Sequence, residues 1–245
     1  MFFTINMKNT KTAIFIETGA IVFSMLLSVS LLTYVFPKVM YPFSTNSVFV
    51  NAIYYIINIF LFTCILYIIL QLVYYENKKN NFLYLLKRFR FKKITKKTIS
   101  RAVGIFLIIT ILSGFIKLSL DYFKISSTIT ENLELIKKNK ISESPILILL
   151  SILAIVIIGP LVEEIVFRGY LLPKQEQVLG KYAWILNGFA FLAVHLIVYD
   201  FYSLLIFSPF AFLIAYKVQK YKDSTIGSLV HVMINSGFVV RMLLS

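Results

Sequence analysis

The sequence predicts an all-α fold, a polytopic bundle of about seven transmembrane helices. Of its 245 residues, 59% are hydrophobic and 15% are charged, whereas a soluble domain has about 45–50% apolar and about 25% charged residues. This composition excludes a soluble globular fold, and 6 Pro and 9 Gly are too few for a low-complexity chain. The single cysteine, Cys64, excludes an intrachain disulfide and a metal site built on cysteines.

Seven apolar stretches reach or approach the length of about 20 residues that a membrane-spanning helix needs. They are residues 12–36, 48–75, 102–122, 145–172, 182–199, 202–216 and 225–244. The first stretch is too long for the apolar core of a signal peptide, and no small-residue cleavage site follows it, so we interpret it as a retained span. The sixth stretch is short, which leaves open either a tilted span or a re-entrant helix.

The distribution of basic residues predicts the orientation of these spans. Segment 76–101 carries ten basic residues and one acidic residue, Glu76, and the positive-inside rule places such a loop in the cytoplasm. Seven spans then put the N-terminus in the cytoplasm and the C-terminus outside it. The resulting bias accounts for the net charge of +14 without a nucleic-acid partner. The aromatic residues of this loop predict an amphipathic helix on the inner leaflet; they are Phe82, Tyr84, Phe89 and Phe91.

The unusual polar residues concentrate in the last hundred positions, which predicts two regions. Residues 1–144 form an N-terminal region of three spans that includes the basic loop, and residues 145–245 form the region that holds the candidate site.

The fourth stretch contains two adjacent carboxylates and an arginine at membrane depth, where each charge costs about 2.5–3.5 kcal/mol even on the lenient insertion scale. Glu164 and Arg168 are four residues apart, so they share a helix face and can pair. Glu163, the residue before Glu164, lies about 100° from it round the helix, so its side chain points in a different direction. When two acids have different surroundings, one can act as a base while the other remains a structural anion. Pro160 favours a kink that opens space beside Glu163.

Both histidines of the chain lie in other apolar stretches. His195 is in the fifth stretch, and His231 is in the seventh, where Asn235 shares its helix face. A single membrane histidine is often only a contact between helices. Counting residues from the predicted inner boundaries puts Glu163, His195 and His231 roughly 13, 20 and 9 Å from the inner surface. Boundary shifts of a few residues cover this spread, so the three could meet in one cavity.

These residues resemble the three motifs of the CPBP family of intramembrane peptidases, the CAAX-protease and bacteriocin-processing or Abi-domain proteins. Its Glu-Glu-x-x-x-Arg matches Glu163, Glu164 and Arg168; its Phe-x-x-x-His matches Phe191 and His195; and its His-x-x-x-Asn matches His231 and Asn235. The resemblance covers residues 145–245. Family members commonly have about eight spans, so eight is the alternative count.

The resemblance implies hydrolysis of a peptide bond within the membrane. By this analogy Glu163 and His195 hold and activate a water molecule, His231 and Asn235 stabilise the oxyanion, and Glu164 and Arg168 orient the site. No serine or cysteine adjoins a histidine in the motifs, which disfavours a covalent route. We favour a reaction without a cofactor. Zinc held by Glu163, His195 and His231 is the alternative.

The expected partners are the lipid bilayer and a membrane-associated peptide or protein. A chain rich in Lys, Ile, Asn and Phe is typical of an AT-rich bacterial genome, so we favour a bacterial peptide precursor, leader or signal peptide over a prenylated protein. Two other functions are kept as alternatives. One is a non-catalytic interaction or immunity protein of the same family, and the other is a proton-coupled transporter, which would show inverted repeats.

Overall fold

A computed structural model describes residues 10–31, 47–77, 81–125, 144–197 and 199–244, and within them the chain is helical and has no strand. The first four helices are α1 (Thr10–Ser30), α2 (Ser47–Asn77), α3 (Phe82–Arg88) and α4 (Lys96–Tyr122). After them comes a long composite segment, followed by α9 (Phe201–Tyr221) and α10 (Ser224–Leu244). The all-α prediction is confirmed.

The composite segment changes its helical pitch several times. It consists of α5 (Pro145–Ser151), a π-helical stretch (Ile152–Ile158), α6 (Gly159–Glu164), a second π-helical stretch (Ile165–Leu171), α7 (Leu172–Leu179), one 3₁₀ turn (Gly180–Tyr182) and α8 (Ala183–His195). Such π turns are rare and are frequent at functional sites. The two π-helical stretches flank the short helix that ends at the two adjacent glutamates.

Five of the described segments are long and apolar enough to cross a membrane. They are Thr12–Ser30, Phe49–Glu76, Lys96–Tyr122, Pro145–His195 and Phe201–Tyr221. Because Pro145–His195 contains two of the predicted stretches, and Ser224–Val240 is a further, shorter apolar helix, the count agrees approximately with seven. The chain is therefore a multi-pass membrane protein.

The structure corrects one detail of the predicted spans. The sixth stretch is a helix of 21 residues. It continues beyond the predicted end at residue 216, and its last turns include Lys217 and Lys220. The predicted end of the first stretch lies outside the described residues.

Local capping sets where the later helices begin. The backbone N–H of Ser203 donates to Oδ1 of Asp200 over 2.8 Å, which satisfies one of the unpaired N–H groups at the start of α9. Helix α9 ends at Tyr221, and the residue that follows it, Lys222, has a left-handed φ of 50°. The chain then reverses within two residues, so α10 begins at Ser224 and packs beside α9.

The basic loop folds onto the helix bundle. Phe89, which the sequence placed at the leaflet, is only 4% exposed and packs against Gly169. Phe82 is 73% exposed and fits the expectation of a surface helix. Arg90 donates two hydrogen bonds to the carboxylate of Glu176, over 2.6 and 2.9 Å. The loop is thus attached to the composite segment.

A second polar cluster joins α1 and α2 to the composite segment. Lys174 Nζ lies 2.7 and 2.8 Å from the two carboxylate oxygens of Glu17 and 2.7 Å from the hydroxyl of Tyr170, and it also contacts Glu76. The Tyr170 hydroxyl donates to Glu17. Because the Lys174 side chain is only 14% exposed, its loss would leave two carboxylates without their main cation.

We expect Lys174→Met to destabilise the protein by about 1.5–3 kcal/mol, the range for hydrogen bonds to charged groups. The thermal unfolding midpoint of the purified protein in detergent measures the effect. Lys117→Met is the matched control, because Lys117 pairs with Asp121 at an exposed position on α4 and exposed pairs contribute little. Equal midpoints for the two variants would contradict a structural role of the cluster.

Candidate active site

Glu164 and Arg168 form the expected ion pair, and both side chains are fully buried. Arg168 Nη1 lies 3.6 Å from Glu164 Oε1. The guanidinium also donates to the backbone carbonyl of Ala211 on α9 over 3.3 Å, and its central carbon lies 4.1 Å from the centre of the Phe191 ring on α8. A buried charge requires such compensation. The pair therefore holds three segments of the bundle together.

His231 lies between the two glutamates, an arrangement that the sequence did not predict. Its Nδ1 is 3.2 Å from Glu164 Oε1, and its Nε2 is 3.7 Å from Glu163 Oε2. An ionised carboxylate only accepts hydrogen bonds, so Nδ1 carries a proton towards Glu164. The edge of the ring that bears Nε2 then faces Glu163.

The two glutamates have different surroundings, as their spacing predicts. The Glu164 side chain has no exposed surface, whereas that of Glu163 is 15% exposed. Glu164 is enclosed by Arg168, His231 and Gly227. Glu163 instead lines a cavity.

Gly227 permits the close approach of α10 to Glu164. A Cβ atom at this position would overlap Glu164 Oε2 and would lie 3.1 Å from a methyl group of Val218. Sequence reasoning missed this residue. The signal that could have found it is its place four residues before His231, which puts both on one face of α10.

His195 is fixed by the backbone of its own helix and by aromatic rings. Its Nδ1 lies 2.9 Å from the carbonyl oxygen of Phe191. A carbonyl only accepts, so Nδ1 is the donor, and Nε2 of the neutral ring is an acceptor. The ring stacks on Tyr199 with centroids 5.7 Å apart and planes at 8°.

Phe191 is the common neighbour of the polar groups. The centre of its ring lies 4.7 Å from that of His195 and 5.9 Å from that of His231, and Arg168 packs over it. The phenylalanine of the Phe-x-x-x-His motif thus separates the two histidines while it contacts both.

Asn235 compensates for the missing N–H group of Pro160. In the first π-helical stretch the N–H of Gly159 donates to the carbonyl of Ala154, five residues back. The next bond of this pattern would run from residue 160 to the carbonyl of Ile155, but proline has no N–H. Asn235 Nδ2 donates to that carbonyl over 2.8 Å. The amide keeps a second N–H for another acceptor.

A cavity of about 180 Å³ opens beside Glu163. One wall of the cavity comes from the C-terminal region and includes Glu163, Asn235 and Pro160. The opposite wall comes from α2. The sequence predicted that Glu163, His195 and His231 could meet in one cavity, but the residues that line this cavity include Glu163 and neither histidine. The sequence gave no motif in the first three spans.

The described residues do not include a group of three histidine, cysteine, aspartate or glutamate side chains arranged to hold a metal ion. Glu163, His195 and His231, the set of the zinc alternative, therefore do not form such a group among the described residues. His195 Nδ1 bonds to a carbonyl and leaves Nε2 as an acceptor, and His231 is turned towards the two carboxylates. A histidine bound to zinc makes contacts of the same kind with its other ring nitrogen, so zinc stays the alternative prediction.

We expect Arg168→Met to destabilise the protein by about 3–5 kcal/mol, the range for removing one partner of a buried ion pair. The cause is the buried charge left on Glu164, so the double variant Glu164→Gln, Arg168→Met should regain part of the loss. Thermal unfolding midpoints in detergent measure both. A single variant as stable as the original protein, or a double variant less stable than the single one, would contradict this account.

Comparison with protein families identifies the region that holds the site. Residues 145–237 match the family model described as type II CAAX prenyl endopeptidase Rce1-like. Comparison with curated proteins and with solved structures gave no significant match. The matched residues include all three motifs, which confirms the resemblance to the CPBP peptidases. Residues 145–237 are thus similar to the Rce1-like family, and this match supports a membrane-embedded peptide hydrolase of the CPBP type.

Proposed function

We propose that this intramembrane endopeptidase hydrolyses its substrate with a water molecule that Glu163 activates, without a covalent intermediate. The observation that carries the proposal is the difference between the two adjacent glutamates. Glu164 is enclosed and paired with Arg168, whereas Glu163 faces a cavity large enough for a water molecule and part of a peptide. Two carboxylates in such different surroundings can serve as structural anion and base.

In the first step Glu163 takes a proton from the water while the water oxygen attacks the carbonyl carbon of the peptide bond. His195 supports this step, because Nε2 can accept the other hydrogen of the water and hold it in place. The attack forms a carbon–oxygen bond and leaves a negative charge on the former carbonyl oxygen. In the second step Glu163 returns its proton to the amide nitrogen, the carbon–nitrogen bond breaks, and a carboxyl group and an amine are released.

Two groups support binding of the oxyanion. One is the second N–H of Asn235, since the first is used by Ile155. The other is Nε2 of His231 in its doubly protonated form. When both ring nitrogens of His231 carry a proton, the positive charges of Arg168 and His231 balance the negative charges of the two glutamates. The buried cluster is then electrically neutral, and burying it costs less free energy. Donors of this kind contribute about 2.7–4 kcal/mol to stabilising the transition state.

The substrate proposed for this site is a membrane-associated peptide, such as a bacterial precursor, leader or signal peptide, including bacteriocin or signalling peptides. The name of the matching family refers to prenylated CAAX proteins, so a prenylated peptide is the comparison substrate.

The proposal also includes a cytoplasmic N-terminus, an extracytoplasmic C-terminus, and a division into an N-terminal region of residues 1–144 and a catalytic region of residues 145–245. The basic loop supports the orientation, and the family match supports the catalytic region.

We expect Glu163→Gln and His195→Ala to reduce cleavage by about 10²–10⁴-fold, the contribution of a general base. Both proteins should insert into membranes normally. The assay uses purified protein in lipid vesicles with two probes, a palmitoylated leader peptide and an S-farnesylated CAAX peptide, and mass spectrometry of the products. Asp121→Asn on α4 is the control, because this carboxylate pairs with Lys117 away from the site.

Full cleavage by Glu163→Gln would contradict the mechanism. If the original protein cleaves neither probe, and membrane peptides from cells with the original protein and with Glu163→Gln are the same, the chain is a non-catalytic member of its family.

We further expect that removal of metal ions leaves cleavage unchanged, because the mechanism uses side chains and water alone. The measurement is the cleavage rate before and after treatment with a zinc chelator, together with the metal content of the active protein. Loss of activity that only stoichiometric zinc restores would show that the zinc alternative is correct.

A further inference from the structure

The wall of the cavity opposite Glu163 is built by α2, outside the region that matches the peptidase family. Four side chains of α2 line it: Tyr54, Tyr55, Asn58 and Phe62. We call these four residues the α2 wall. The family match begins at residue 145, so these residues add to the site something that the matched region does not contain.

The α2 wall is held close to the catalytic helix. Gly159 allows the approach, because a Cβ atom there would lie 3.3 Å from the Phe62 ring and too close to the carbonyl of Ala154. Tyr55 is 3% exposed and packs in one apolar cluster with Leu147 and Ala154. The wall is therefore a fixed part of the cavity.

The chemistry of the α2 wall suits an apolar side chain with its peptide group. Three of its four residues are aromatic and supply large apolar surfaces. Asn58 supplies an amide, and its Nδ2 donates to the carbonyl of Tyr54 over 3.0 Å, so its Oδ1 can accept from a peptide N–H.

The volume of the cavity limits what it can hold. At 180 Å³ it is smaller than the about 300–1,000 Å³ of small-molecule sites, and it would hold about six water molecules at about 30 Å³ each. Such a space matches one large side chain and its peptide group, with Glu163 at the edge.

We propose that the α2 wall is the specificity subsite of the peptidase, and that it binds the apolar side chain of a membrane peptide next to the bond that is cleaved. This inference rests on the proposed function of Glu163. It assigns to the N-terminal region a direct role in choosing the substrate.

The test compares the cleavage of a palmitoylated peptide library, randomised around its centre, by full-length variants in lipid vesicles. Asn58→Leu removes the amide at nearly constant volume, and it should raise KM about two- to tenfold with little change in kcat. Tyr54→Ala enlarges the subsite, so the ratio of cleavage beside tryptophan to cleavage beside valine should rise at least tenfold. Gln71→Leu is the matched control, because Gln71 lies on α2 but lines a different hollow with Tyr67 and Tyr74.

Selectivity ratios separate substrate choice from misfolding, since a damaged protein loses activity towards all peptides equally. Unchanged ratios in Tyr54→Ala together with an unchanged KM in Asn58→Leu would overturn the inference, as would the same changes in Gln71→Leu.

If the original protein and Glu163→Gln cleave the peptides equally, the proposed function of Glu163 is wrong, and the binding site needs a separate test. The inference is then decided by photocrosslinking to the same peptides with p-benzoylphenylalanine in place of Tyr54 or of Gln71. Crosslinks from position 54 alone support the α2 wall as a binding site, and equal or absent crosslinks overturn it.

Discussion

The buried ion pair between Glu164 and Arg168 is the interaction on which the site depends. A carboxylate and a guanidinium inside an apolar bundle need partners, and removing either partner is costly. The structure meets this need with groups from three helices: Phe191 of α8, the carbonyl of Ala211 of α9, and His231 of α10. The same contacts that neutralise the pair therefore fix the positions of the helices around Glu163.

The break in the composite segment connects backbone geometry to chemistry. Pro160 interrupts the hydrogen bonds of a π-helical stretch, and the carbonyl of Ile155 accepts a hydrogen bond from Asn235 instead. This contact sets the position of the amide that we propose for the oxyanion. The break also brings Gly159 beneath Phe62, so that α2 reaches the cavity. One irregular turn thus positions both an oxyanion donor and a wall of the substrate subsite.

Spacing along one helix and depth in the membrane predicted which groups could meet, whereas the particular contacts between helices could not be predicted. The four-residue separation of Glu164 and Arg168 was enough to predict their pairing, and the apolar stretches predicted the helices. The position of His231 between the glutamates, the need for glycine at 227 and the burial of Phe89 depend on how α10 and the basic loop pack against the composite segment. No periodicity within a single stretch carries that information. The role of Tyr54 and its neighbours on α2 was missed for the same reason.

The position of the proton on His231 shows whether Glu164 holds this histidine towards Glu163. The chain has two histidines, so the protein labelled with ¹⁵N-histidine gives two imidazole signal sets, and His195→Asn assigns the set of His231. We expect that Nδ1 of His231 carries a proton, and that Glu164→Gln shifts the signals of His231 while those of His195 stay in place. An unprotonated or metal-bound Nδ1 of His231 would contradict the arrangement in which Glu164 holds this histidine towards Glu163.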